Sequence, residues 1–194
     1  MNNKKIFVTG ASGFIGSHCV IDLLEHGYQV VGTIRDMSRE KTLRKIFSQL
    51  RLDNDKVNFK KADCEDLDKM KEIIKGSDVV IHAAAYAHEG LSNVSPNLIC
   101  SNIVSGSTSV FSASISNNVK RIVFCSSMAR YGNIQQPFKE NDVPNPVDPY
   151  GISKLAAEKI LINLCDTYGV EYNIAVPHNI IGIKQKYDDP FRNV

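Results

Sequence analysis

The chain has 194 residues, 43% of them hydrophobic and 23% charged, with a formal net charge of +2. That suits one generous domain of ordinary globular composition, and neither the charge nor any Lys/Arg block gives a nucleic-acid footprint. The apolar runs read as far short of a membrane span, no signal-peptide layout is evident, and the five scattered cysteines form no CxxC pair or metal spacing. Such cysteines point to buried, reduced thiols in a cytoplasmic protein rather than to metal or redox chemistry.

The first predicted element is the apolar run Lys4 to Thr9, which stops at Gly10-Ala11-Ser12-Gly13-Phe14-Ile15-Gly16 and leads into an amphipathic stretch from Ser17 to His26. This is a strand, a glycine turn and a helix start. Gly10, Gly13 and Gly16 suit a tight turn, close backbone approach to a diphosphate and close helix–strand packing, with the helix N-terminus holding the anion. A second strand is predicted over 29–34, a helix over 37–52 with Leu43, Ile46, Phe47 and Leu50 on its inner face, and a third strand over 57–61. Leu67, Met70, Ile73 and Ile74 make the inner face of a helix ended by Gly76, and 78–82 is a fourth, nearly all-apolar strand leading into Ala83-Ala84-Ala85. Leu91 to Ser95 reads as a loop, Pro96 to about Asn117 as a long helix, and 119–125 as the fifth strand, ending at Ser126-Ser127. After a Pro/Asn/Asp-rich loop, 150–168 is helical with Leu155, Ile160, Leu161 and Leu164 as its apolar side, and 171–176 is the sixth strand. Six alternations of strand and helix predict an α/β fold, a Rossmann-type doubly wound parallel sheet in three layers. Ligands would bind at the carboxyl ends of its strands.

Two groups of residues carry candidate chemistry. Arg35 falls 19 residues after Gly16, about where the second strand offers a group to an adenosine ribose; an acidic residue there prefers NAD, an arginine the 2′-phosphate of NADP. Ile34 occupies the acidic position, which argues for NADP. In the alternative, Arg35 is a solvated strand end and Asp36 reaches the ribose. Asp63 either accepts from the adenine amino group or merely caps the next helix. In the second group Tyr150 and Lys154 are four apart, on one helix face about 6 Å apart along the axis. A neighbouring ammonium and a nicotinamide charge would lower the tyrosine's pKa, Lys154 can bind the nicotinamide ribose, and Ser127 can share the substrate's proton. The spacing alone also arises by chance; its place after the fifth strand of such a sheet gives it meaning. His82 reads as strand-end packing, and His82, His88 and His178 match no metal spacing. Asn102 either holds a carbonyl or water near Lys154 or is a plain surface residue.

Thr9 to His18, Val80-Ile81-His82-Ala83-Ala84, Ser126-Ser127 with Tyr131-Gly132, and Tyr150-Gly151-Ile152-Ser153-Lys154 together resemble the extended short-chain dehydrogenase/reductase family, and within it the nucleotide-sugar epimerase/dehydratase group. The resemblance implies Ser127, Tyr150 and Lys154 as the catalytic set. It implies cofactor contacts from Gly10, Gly13, Phe14, Ile15, Asp63, Ala83, Ala84, Ala85, Lys154 and Pro177, and a sugar-nucleotide contact from Asn179. It further implies an epimerase cycle in which the tyrosine removes a sugar hydroxyl proton and the keto-sugar turns over before being reduced on its other face. A homodimer through a four-helix bundle, built from the Pro96 helix and the Tyr150 helix, is also implied. Val176 departs from the arginine usual before the Pro. Thr33-Ile34-Arg35-Asp36 is closer to dihydroflavonol-type reductases, so an NADPH-dependent carbonyl reductase stands as the alternative. A non-catalytic dinucleotide sensor is the third reading, and the intact Ser127/Tyr150/Lys154 set argues against it. The dinucleotide domain is expected to occupy 1–182. Residues 183–194 would open a substrate-binding part lying largely beyond Val194, roughly another 100 residues.

Overall fold

The computed structural model describes residues 4–87, 89–183 and 185; His88, Lys184 and nearly all of the expected substrate-binding region lie outside them. Six strands, β1 (Lys5–Thr9), β2 (Gln29–Ile34), β3 (Val57–Lys61), β4 (Val79–His82), β5 (Arg121–Cys125) and β6 (Glu171–Ala175), form one sheet. Their order is β3-β2-β1-β4-β5-β6, with every neighbouring pair parallel. The direction of winding reverses between β1 and β4, where a doubly wound sheet opens its crevice.

Alternate side chains of the strands feed two cores, one on each face. Ile6, Val8, Val30 and Ile34 pack with α1 (Phe14–Glu25) and α2 (Ser38–Gln49). Phe7, Val31, Val80, Ile122 and Phe124 pack against α3 (Leu67–Ile74), a long helical stretch and α7 (Pro149–Tyr168). The long stretch is α5 (Pro96–Cys100), a single π-helical turn at Ser101–Ser105, and α6 (Gly106–Ser116). By length and composition alone, Pro96–Ser116 is apolar enough to cross a membrane, contrary to the sequence reading. Its Ile99, Ile103, Val110 and Phe111 are instead buried in the sheet core, so its hydropathy is that of a core helix.

Three further expectations change. Leu91 to Ser95 is not a loop: α4 (Glu89–Val94) covers most of it, because Leu91 packs on the core and the buried Ser92 hydroxyl donates to the Glu89 carbonyl. Leu50 does not join the inner face of α2; it is 48% exposed, since the helix ends at Gln49 and Arg51 turns to φ +57°. The aliphatic side of α7 is only part of its buried side: Leu161 is fully buried and Ile160 and Leu164 pack against the core, as expected. Tyr150, Lys154, Glu158, Leu161 and Cys165, spaced by three and four, face inward, while Leu155, Ile160 and Leu164 are only partly buried. A helix whose inner face is half polar is serving something other than packing alone.

Candidate functional site

A cleft runs across the carboxyl ends of the strands. One half is lined by Gly10, Gly13, Arg35, Asp63 and Ala83 to Ala85, the other by Phe14, Ile15, Ser127, Tyr150, Lys154, Pro177 and Asn179. Of the residues nominated from sequence, only Gly16 does not line it.

Gly16 acts one step back. A Cβ there would stand 2.1 Å from the Gly10 carbonyl oxygen, and the Gly13 amide donates to that same oxygen at 2.8 Å. The turn is therefore wound tightly enough to aim the first amides of α1 into the cleft. Gly10 sits at φ +66°, and a Cβ on it would meet the Ala84 backbone at 2.8 Å. The crevice floor is bare backbone where a diphosphate would approach.

The two sides of that floor are pinned by a buried polar chain. Thr9 and His82 are opposite one another in β1 and β4. The Ala83 and Ala84 amides both donate to Thr9 Oγ1 at 3.1 Å. With its lone pairs so used, the threonine hydroxyl gives its proton to His82 Nδ1 at 2.7 Å, and His82 Nε2–H donates to Ser107 Oγ at 3.0 Å. Phe124 stacks on the ring and Phe111 meets it edge-on. Burial, followed by the Lys154 charge, pushes the imidazole down to about 3. His82 is strand-end packing, as read from sequence, with its tautomer fixed.

At the adenosine end the Arg35 guanidinium lies 4.4 Å over the Tyr86 ring. Asn102, in the π-helical turn, does not serve Lys154: its Oδ1 accepts from the Tyr86 amide at 2.9 Å and so steadies that ring's backbone. Asp63 is not the cap of α3. Asp66 caps it, accepting from the Lys69 amide at 2.9 Å, while Asp63 accepts from the Glu65 amide and borders the cleft. Arg39 also lines this end; the sequence reading missed it, although it lies only four residues beyond Arg35, in the first turn of α2.

At the other end, Asp148 caps α7 by accepting from the Gly151 amide at 2.9 Å. This starts the helix where Tyr150 and Lys154 point into the cleft. Lys154 Nζ donates to the Cys125 carbonyl at 2.7 Å and lies 4.9 Å from the Phe124 ring centroid and 5.9 Å from that of Tyr150. Burial pulls its ammonium down to about 8, against the charges of Cys125 and Glu158. The Tyr150 phenol is not lowered by Lys154 as expected from sequence. Desolvation pushes it up to about 12, and the opposing influence is a hydrogen bond with the Ser127 side chain. Met128–Arg130 forms the turn behind Ser127, whose Oγ accepts from the Ala129 amide at 3.2 Å. The Met128 amide donates to the Pro177 carbonyl at 3.0 Å, holding the segment after β6 beside the site. Sequence reasoning missed Glu89, Cys125 and His178, which line this half as well. Among the described residues no three His, Cys, Asp or Glu side chains gather as a metal site needs.

A family model described as the NAD dependent epimerase/dehydratase family matches residues 6–192. The chain belongs to this family. It is 37% identical over 171 residues to a UDP-glucose 4-epimerase of Halalkalibacterium halodurans, covering 86% of this chain and 48% of that protein. Among solved structures, a UDP-N-acetylglucosamine 4-epimerase from Methanobrevibacter ruminantium M1, in complex with UDP-N-acetylmuramic acid, superposes with a TM-score of 0.86 at 31% identity. That superposition covers all of this chain (100%) and 61% of the other. A Brucella ovis UDP-glucose 4-epimerase in complex with NAD gives a TM-score of 0.75 at 29% identity, covering 88% of this chain and 50% of that one. The chain thus spans about half the length of the first of these relatives.

Proposed function

We propose that this chain forms the cofactor-binding and proton-transfer half of a nucleotide-sugar epimerase or dehydratase. The observation that carries the reading is the convergence of Ser127, Tyr150 and Lys154 on one half of the cleft. The bare floor at Gly10 and Ala84 and the tight Gly10–Gly16 turn fit a dinucleotide diphosphate. When bound, a nicotinamide supplies a reversible hydride acceptor. Tyr150 is then the acid/base that takes a sugar hydroxyl proton and later returns it. Ser127 holds the same oxygen and shares the charge that develops on it. A phenol near 12 is a poor base at neutral pH, so cationic charge beside it is needed; Lys154 is this chain's contribution, and it also suits the ribose hydroxyls. The UDP-sugar names of the relatives support the substrate class.

The second reading, a carbonyl reductase consuming NADPH, is favoured by Arg35. The two separate in one assay. The epimerase converts sugar nucleotide with cofactor far below substrate and no net change in the reduced-nicotinamide absorbance. Absorbance lost in proportion to product would overturn it.

For the adenosine end we infer a preference for NADP, although the family's description names NAD. Ile34 is 1% exposed and packed among α1 and α2 residues, so it offers nothing to a ribose, whereas Arg35 and Arg39 both line this end. Asp36 competes, but its Oδ1 accepts from the Ser38 amide at 3.0 Å, and side-chain and backbone hydrogen bonds from Ser38 hold it below the usual carboxylate range. Arg35→Ala is expected to weaken NADP binding by roughly 10- to 100-fold, the loss of one charge-assisted contact, and NAD by less than about twofold. Calorimetric titration with each dinucleotide reads this directly, and equal weakening would remove the 2′-phosphate role. We also assign a homodimer packed through α5–α6 and α7, a reading that the exposed Leu98 and Ile152 support.

A further inference from the structure

Glu158 is the most deeply buried carboxylate on α7, 2% exposed, one helical turn beyond Lys154 and two beyond Tyr150. Its two oxygens are taken by the segment after β5. Arg130 Nη1 lies 2.8 Å from Oε2 in an ion pair, with the arginine side chain only 16% exposed, and the Ser126 hydroxyl donates to Oε1. Between them sits Ser127, bonded to the Ala129 amide of the same turn. The backbones also nearly touch, since a Cβ on Gly151 would stand 2.5 Å from the Ala129 carbonyl oxygen. Burial pushes Glu158 up, while Ser126, Arg130 and Lys154 draw it down. These are the groups that face it from β5, the turn and α7.

Stability does not account for this arrangement. Dehydrating two charges cancels much of their attraction, and apolar residues of similar size often hold a fold as well. What the ion pair does that apolar side chains do not is fix a register at one point on each element. That point is three residues from Ser127 on one side and four from Lys154 on the other.

We propose that Arg130 and Glu158 are positioning residues: their buried ion pair clamps the Met128–Arg130 turn onto α7 and thereby holds the Ser127 side chain at the Tyr150 hydroxyl. The proposal rests on the reading above that Ser127 and Tyr150 handle the proton. Neither clamp residue touches substrate or cofactor in this scheme.

The test compares Arg130→Met, Arg130→Lys and the double variant Arg130→Met/Glu158→Gln, each with NAD(P) bound. The double variant keeps an acceptor for Ser126 and removes both charges of the pair, and with them the carboxylate charge that supports the buried Lys154 ammonium. It is expected to regain wild-type thermal stability yet keep a kcat lowered by about 10- to 100-fold with KM within about twofold, the signature of a misplaced reacting group. Arg130→Lys is expected to restore most of kcat. Turnover that recovers along with stability in the double variant overturns the proposal, and so does unchanged kcat in Arg130→Met. A second readout needs no turnover. 3-Fluorotyrosine at position 150 is titrated through its fluorine resonance. Losing the Ser127 bond should move its titration to higher pH in Arg130→Met, as far as in Ser127→Ala. An unmoved titration overturns the clamp. The kinetic arms are run with the substrate-binding half present; absent turnover in the wild type under that condition overturns the functional reading instead, and the clamp is then judged by this titration alone.

Discussion

Tyr150→Phe is expected to lower turnover by roughly 10³- to 10⁴-fold, at the upper end of what one positioned acid/base contributes, while dinucleotide affinity changes little. The two halves of that outcome come from different parts of the cleft. On the proposed reading, affinity comes mainly from the Gly10–Gly16 turn and the Ala83–Ala85 backbone, which line the half of the cleft away from Ser127 and Lys154 as well as its floor. On the same reading, proton transfer comes from one oxygen, that of Tyr150, whose phenol desolvation raises to about 12. The ring itself is buried, and phenylalanine retains it, so cost to the fold should stay within about 1–2 kcal/mol, the loss of one hydrogen bond and an orphaned Ser127 partner. Steady-state kinetics with the sugar nucleotide and calorimetry with the dinucleotide check the two halves separately. Near-normal turnover would remove Tyr150 from the chemistry. A parallel collapse of dinucleotide binding would show that the phenol is part of the cofactor seat.

The fold was largely legible because its signals are local. A strand that stops at a glycine, a glycine whose Cβ would strike a carbonyl, and a helix that begins on the next turn are all encoded within Lys5 to Glu25. Tyr150 and Lys154 were legible for the same reason: one helix carries both. What was not legible was contact across elements. Arg130 and Glu158 are 28 residues apart, and nothing in either neighbourhood says that a turn after β5 will meet the third turn of α7. The misreading of α7 shows the physical cause. Apolar periodicity picks out Leu155, Ile160, Leu161 and Leu164 because a helix ordinarily buries its greasiest stripe; Leu161 is indeed buried, but the same buried stripe also carries Tyr150, Lys154 and Glu158, which periodicity does not find. Asp63 and Asp66 show the same limit on a smaller scale. Both are plausible caps three residues apart, and only the backbone path decides that Asp66 takes the Lys69 amide.

His82 leads to an expected acid sensitivity that the sequence reading did not contain. Its imidazole titrates near 3 in the fold, against about 6.5 when unfolded. A base whose folded pKa is depressed is protonated first in the unfolded chain, so between those values acid favours unfolding. The contribution is fully present above pH ~6.5 and is lost as pH falls toward 3. Between pH 7 and pH 5 this single group should remove roughly 2 kcal/mol, and about 4 kcal/mol by pH 3, a large share of an ordinary domain's stability. The geometry explains why the fold does not simply protonate it. Nδ1 accepts the Thr9 hydroxyl proton, and that hydroxyl also holds the Ala83 and Ala84 amides, so a proton on Nδ1 would break that link in the pin across the crevice floor. In His82→Gln the amide can still accept from Thr9 and donate to Ser107 but cannot charge. Urea unfolding at pH 7 and pH 5 should show that this variant starts about 1–2 kcal/mol less stable and loses about 2 kcal/mol less than the wild type on acidification. Equal losses in the two proteins would mean that His82 is not the group that titrates. The residue that keeps the dinucleotide floor in place would then be insensitive to acid, and the exposed carboxylates would have to account for the whole pH dependence.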